Sequence, residues 1–209
     1  MNKKIILDLC GGTGSWSLPY KEAGYDVKVI TQPEHDVFEY QKYREFIYDI
    51  HGILAAPTCT MFSLARTTAK TPRDLEGGFK LVHRCMEIIW DCRFNGNLKF
   101  WALENPMGYL RQLLGKPHLT FNPCDFAGWA DCPKKEGYTK KTDLWDYYNT
   151  PKKNPIELTD QQMRDCSINN RTLPEVPEDY ISPEGFRSQT IRRSMTSSGF
   201  ARAFFKANK

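Results

Sequence analysis

The feature that most constrains the fold is a series of short apolar runs, each stopped abruptly and followed by a stretch of different period. Lys4-Ile5-Ile6-Leu7-Asp8-Leu9 leads into Gly11-Gly12-Thr13-Gly14. Residues 25–30 alternate apolar and polar. Gly52-Ile53-Leu54-Ala55-Ala56 is closed by Pro57, and Phe100-Trp101-Ala102-Leu103 by Glu104-Asn105-Pro106. Runs of this length bounded by glycine or proline predict strands. Between them, 16–24 reads as a short helix stopped by glycine, and 74–94 as a helix with Leu81, Cys85, Ile88 and Ile89 on one face. Strands alternating with helices predict an α/β fold with a parallel sheet, in which ligands bind beyond the carboxyl ends of the strands. Three of those ends carry distinctive chemistry: Asp8 with its glycine turn, Pro57 to Cys59, and Glu104-Asn105.

A chain of 209 residues suits one domain, and a 40% hydrophobic share supports a real core. The expected division is a catalytic core over 1–145, an irregular, proline-rich and polar excursion over 146–188, and a closing helix over 189–209 with Phe200, Ala203 and Phe204 at helical spacing. A net charge of +4 permits contact with a phosphate backbone without demanding it. No apolar run reaches the roughly 18 residues of a membrane span, and Met1-Asn2-Lys3-Lys4 is followed by too short an apolar run for a secretory leader. Seven cysteines without a pairing pattern point to a reducing cytoplasm, and Cys124 and Cys132 lack the spacing of zinc ligands, so no metal is expected. Lysines 134, 135, 140, 141, 152 and 153 form a basic stretch, read either as lining the substrate path or as a solvated loop.

The glycine turn lacks the lysine and hydroxyl of a phosphate-binding loop and departs from the dinucleotide fingerprint. It reads either as an ordinary strand–helix turn or as a seat for a nucleoside without phosphates, such as S-adenosylmethionine. Cys59 reads as a small buried hydrophobe or as a thiolate nucleophile at the sheet rim. Glu104 reads as a turn cap or as a carboxyl kept protonated by burial and able to act as an acid.

In combination and in this order, these segments resemble the cytosine-C5 DNA methyltransferase family, specifically its short phage- and prophage-type members. The segment from Leu7 to Leu18 is similar to the first motif of that family. Pro57-Thr58-Cys59-Thr60-Met61-Phe62-Ser63 resembles its Pro-Pro-Cys loop, and Glu104-Asn105-Pro106 its Glu-Asn-Val motif. Lys140-Lys141-Thr142-Asp143-Leu144-Trp145 is similar to a segment of the short members. The resemblance implies a class I S-adenosylmethionine-dependent, Rossmann-like methyltransferase domain with a reduced or absent target-recognition lobe. It implies Cys59 and Glu104 as catalytic residues. It implies a cofactor site of Asp8, Cys10, Gly11, Gly12, Gly14, Ser15, Trp16, Gln32, Asp36, Val37 and Pro57, with Trp16 packed on the cofactor. Phe62, Ser63, Asn105, Lys140 and Lys141 are implied to contact substrate. The chain departs from the family pattern in four ways: Thr58 replaces the second proline, Thr31-Gln32-Pro33 stands where an acid grips the ribose, the Arg-x-Arg pair is missing, and only about 40 residues separate Trp145 from the final helix, where the long members have a much larger target-recognition domain. The expected reaction is methyl transfer to C5 of cytosine in DNA, in a bacterial or phage-infected cytoplasm, with a partner protein available to supply specificity. The alternatives left open are a free cytidine nucleotide or RNA cytosine as substrate, a catalytically dead module that binds cofactor and nucleic acid, and an unrelated α/β enzyme with a structural Cys59.

Overall fold

The structure, a computed structural model, describes residues 3–64, 66–67, 69–157, 159, 161, 174–178, 180–181 and 188–209. Much of the expected 146–188 excursion, including 162–173 and 182–187, lies outside the described residues, as does Cys166. Six strands make one sheet: β1 (Ile5–Leu9), β2 (Asp26–Ile30), β3 (Ile50–Ala55), β4 (Phe100–Pro106), β5 (Leu119–Phe121) and β6 (Thr142–Tyr147), in the order β2-β1-β3-β4-β6-β5. β1 pairs in parallel with β2 and β3, and β3 with β4. β6 lies antiparallel between β4 and β5. The fold is therefore α/β with a mixed sheet, compatible with a Rossmann-like arrangement. The expectation of a parallel sheet holds for the four strands that the apolar runs mark.

β5 and β6 escape a search for apolar runs. β5 has three residues, and β6 carries Asp143 in its interior, fully buried. That carboxylate is tolerated because Arg111, on the short helix α3 (Leu110–Leu114), grips it with two nitrogens at 2.6 Å each, and the Thr120 hydroxyl donates at 2.7 Å. β4 is longer than its apolar run suggests. It continues through Pro106, so Glu104 and Asn105 are strand residues, opposite Leu144 and Asp143 of β6.

Alternation along the strands divides the core into two layers. Leu7 and Leu9 of β1 and Ile53 and Ala55 of β3 face the helix α2 (Leu75–Asn95), meeting Val82, Cys85, Ile88 and Ile89. Asp74 caps α2 by accepting from the Gly77 N–H at 2.9 Å. Ile6, Leu54, Phe100 and Ala102 face the other way, toward the helices α1 (Leu18–Glu22) and, later in the chain, α6 (Ser198–Ala207). The short helix α4 (Pro133–Glu136) precedes β6.

The expected closing helix is two helices, α5 (Ser188–Ser194) and α6. Ser197 is extended, with φ −63° and ψ 136°, and the Thr196 N–H leaves the helical pattern to donate to Ser15 Oγ at 2.9 Å. α6 packs back beside α1, as its spacing predicts. Phe200 and Phe204 lie with ring centroids 5.9 and 5.4 Å from Trp16, and Phe205 meets Tyr20 edge-on at 4.9 Å. No helix among the described residues is long and apolar enough to cross a membrane.

Candidate active site

β1 is the point where strand order reverses: the chain leaves it for β2 on one side and returns to β3 on the other. In open α/β sheets this reversal opens a crevice at the carboxyl ends of the strands. The glycine turn after β1 and the Pro57–Cys59 loop after β3 both stand there.

The turn is built around Asp8, whose alternation in β1 points it to the α1 side, where it is fully buried. Ser17 Oγ donates to one carboxylate oxygen at 2.5 Å, and the other oxygen has no hydrogen-bond partner. Gly11 is required here, because a Cβ at that position would lie 2.3 Å from the Asp8 carboxyl carbon. Burial drives the Asp8 carboxyl up to about 7, against the lowering effect of the Ser17 hydrogen bonds. Cys10, Gly12 and Gly14 have φ of 56°, 55° and 69°, so the backbone doubles back on itself. Ser15 is tied to Thr196, and the Thr13 hydroxyl is buried without a partner.

Gln32 and Asp36 are brought together after β2: the Gln32 amide donates to Asp36 at 2.8 Å, and Asp36 also accepts from the Phe38 N–H at 3.0 Å. Asp36 thereby caps the 3-10 segment Val37–Phe46, and Val37 itself is buried. The Asp36 charge contributes to raising the Cys10 thiol in the glycine turn. Trp16 is 2% exposed, with its ring in the aromatic layer against Phe200 and Phe204.

The loop after β3 is held from several sides. The Cys59 carbonyl accepts from the Phe62 and Ser63 N–H groups, both at 2.9 Å, closing a tight turn. Asn105, fully buried in β4, donates its amide to the Pro57 carbonyl at 2.8 Å. The Tyr109 N–H donates to the Phe62 carbonyl at 2.9 Å, and a Cβ on Gly108 would lie 2.2 Å from that oxygen. Arg73 donates to the carbonyls of Met61 at 2.6 Å and Ser63 at 3.0 Å while lying over the Tyr109 ring. No local pattern in the sequence marks Arg73 or Gly108 for this task, because their partners are about ten to fifty residues away.

Phe62 is buried and stacks on Phe79 at 5.2 Å, so it anchors the loop in the core. Asn105 likewise positions the loop through Pro57. Cys59 is left partly exposed on a constrained turn.

Glu104 shares its face of β4 with Phe100 and Ala102. It lines a cleft with Lys140, Tyr138, Thr142, Thr196 and Phe200. Cys59 is not among the residues lining that cleft, yet the Lys140 charge reaches both Cys59 and Glu104. Burial pushes the Cys59 thiol above its ordinary value; Lys140 opposes this and Glu104 adds to it. Burial also raises the Glu104 carboxyl; Lys140 opposes this and Asp143 adds to it. Lys140 itself donates to the Arg193 carbonyl at 3.3 Å.

The expected basic stretch is dispersed. Lys134 and Lys135 sit on α4, Lys140 faces the cleft, Lys141 is exposed, and Lys153 pairs with Asp125 at 3.0 Å. Among the described residues no group of three or more His, Cys, Asp or Glu is placed to hold a metal ion.

The chain matches no protein-family model, and no curated protein matches it in sequence.

Proposed function

We propose that this protein transfers a methyl group from S-adenosylmethionine to C5 of cytosine in DNA, with Cys59 as nucleophile and Glu104 as acid. The observation that carries the reading is that Cys59, on the loop after β3 beside the sheet's reversal point, and Glu104, on the neighbouring strand β4, both lie within the field of one cation, Lys140. The finer fold assignment, a class I methyltransferase domain with a reduced recognition lobe, belongs to the same proposal. It is supported by the reversed strand β6 near the edge of an otherwise parallel sheet.

The glycine turn suits the cofactor. Its backbone is open to close approach at Gly12, where a Cβ would meet nothing within 4 Å. Gly11, Gly12, Gly14 and Ser15 would hold the methionine part, and Gln32 and Asp36 the nucleoside. When bound, S-adenosylmethionine supplies the electrophilic methyl group.

The remaining chemistry belongs to the chain. Cytosine C5 is a poor nucleophile until the Cys59 thiolate adds to C6. Glu104, whose burial favours the protonated form, donates to N3 as the ring accumulates electrons. Lys140 favours the thiolate. After methylation the C5 proton leaves, the C6–sulfur bond breaks, and Cys59 is regenerated. Arg73, Asn105 and Gly108 hold the nucleophile's loop so that little reorganisation is required. In duplex DNA the target base must first be flipped out of the stack.

The test is incubation with methyl-tritiated S-adenosylmethionine and separate pools of DNA, RNA and cytidine nucleotides. Label on cytosine C5 in DNA supports the proposal. Label confined to RNA or nucleotides reassigns the substrate, and no label in any pool, with no cofactor binding by calorimetry, removes the function.

A further inference from the structure

The sulfur of Cys10 lies 3.9 Å from that of Cys85, and both cysteines are free. Continued alternation along β1 would place Cys10 on the Asp8 face. Its φ of 56° turns it back, and it packs against the α2 layer instead. A non-glycine residue held at positive φ is strained unless its surroundings require it. Here the strained residue is the one that brings two thiols together, and it sits within the glycine turn.

We propose that Cys10 and Cys85 are a redox pair, oxidised by a peroxide to a disulfide that immobilises the glycine turn. Cys10 is partly exposed and Cys85 is fully buried, so Cys10 meets the oxidant first. Its thiolate attacks one peroxide oxygen, giving the sulfenic acid and releasing the other oxygen as water. The Cys85 thiol then attacks the Cys10 sulfur, the S–S bond forms, and the hydroxyl leaves as a second water. Two thiols lose two electrons in total, and the peroxide O–O bond takes them up. The Cys10 thiol is held well above its ordinary value by its hydrogen bond with Cys85, by burial, and by the Asp8 and Asp36 charges. Oxidation is accordingly slow at neutral pH and faster as pH rises.

Bond formation requires the sulfurs to close from 3.9 Å to about 2.05 Å. α2 cannot supply this movement, because Cys85 is mid-helix in a 21-residue element packed through Ile88 and Ile89. The turn can, since Gly11, Gly12 and Gly14 follow the moving residue. Its fixed points are the Cys10 N–H, bonded to the Ile30 carbonyl at 2.8 Å, and Ser15, held by Thr196. The disulfide adds a covalent anchor to the side chain at the first of them. If the turn seats the cofactor, oxidation regulates that seat; the redox pairing itself does not rest on methyl transfer.

The test uses the full chain, treated with hydrogen peroxide or dithiothreitol, blocked with iodoacetamide under denaturing conditions and digested without reduction. The expected result is a linked peptide containing Cys10 and Cys85, absent from Cys10→Ala and from Cys85→Ala. Hydrogen exchange of residues 10–16 should slow about tenfold in the oxidised protein and recover with dithiothreitol. The proposal is overturned if peroxide, and separately diamide, leave both thiols alkylatable, or if the linked peptide forms while exchange in the turn is unchanged. Neither readout involves cofactor or substrate, so a failure of the methyltransferase reading would be seen separately.

Discussion

Asp8→Asn isolates the cost of burying the carboxylate at the centre of the glycine turn. Asp8 is fully buried, and its carboxyl is raised from 3.8 to about 7. The folded state therefore holds the Asp8 proton more tightly than the unfolded chain does. Its contribution to stability is fully present below about pH 4, declines as pH rises toward 7, and is flat above that. A shift of roughly three units corresponds to about 4 kcal/mol at 1.4 kcal/mol per unit. Asparagine is neutral throughout and carries no such dependence. The wild-type melting temperature should thus fall relative to the variant between pH 4 and pH 7.5. For a chain of this size the relative change is on the order of 8–16 °C. Effects common to both proteins cancel in the difference. Differential scanning fluorimetry in matched buffers measures it. Parallel profiles for the two proteins would refute the claim that Asp8 is ionised at a cost.

Arg111→Met should destabilise the fold by about 3–5 kcal/mol in urea titration, because Asp143 would be left buried with only Thr120 donating. Adding Asp143→Asn should recover part of that loss. Gly108→Ala places a Cβ 2.2 Å from the Phe62 carbonyl oxygen; the Cys59 loop must move, so methyl transfer should fall far more than the melting temperature. Lys140→Met removes the cation that lowers the Cys59 thiol, and the pH profile for alkylation of Cys59 by iodoacetamide should shift to higher pH. An unshifted profile would place Lys140 outside the field of the thiol.

The first four strands and α2 were legible in the sequence because β1, β3, β4 and α2 each bury apolar residues of their own and β2 shows the alternation of a half-buried strand. β6 was not, because its central Asp143 is stabilised by Arg111, thirty-two residues away. The break between α5 and α6 was hidden for the same kind of reason: Thr196 answers to Ser15, at the other end of the chain. Within the site, Cys59, Glu104 and the glycine turn were legible as strand ends carrying unusual chemistry. Their supports were not. Phe62 and Asn105, expected to contact substrate, serve the loop as a core anchor and a tether to Pro57. The sequence marked Lys140 and Lys141 together, and only the pairing of β6 with β4 separates them, carrying Lys140 to Glu104 and leaving Lys141 exposed.

The central claim is that Cys59 attacks the base, and trapping with 5-fluorocytosine tests it most directly. Fluorine at C5 cannot leave as a proton, so the adduct between Cys59 and C6 persists after methyl transfer. With S-adenosylmethionine present, the wild-type protein should form a complex with fluorinated DNA that survives denaturing electrophoresis. Cys59→Ser should form none, since a neutral hydroxyl attacks poorly. Glu104→Gln should form it roughly 10²–10⁴-fold more slowly. Methylation of ordinary cytosine by a wild-type protein that never forms the fluorinated adduct, or by Cys59→Ser at full rate, would contradict the account.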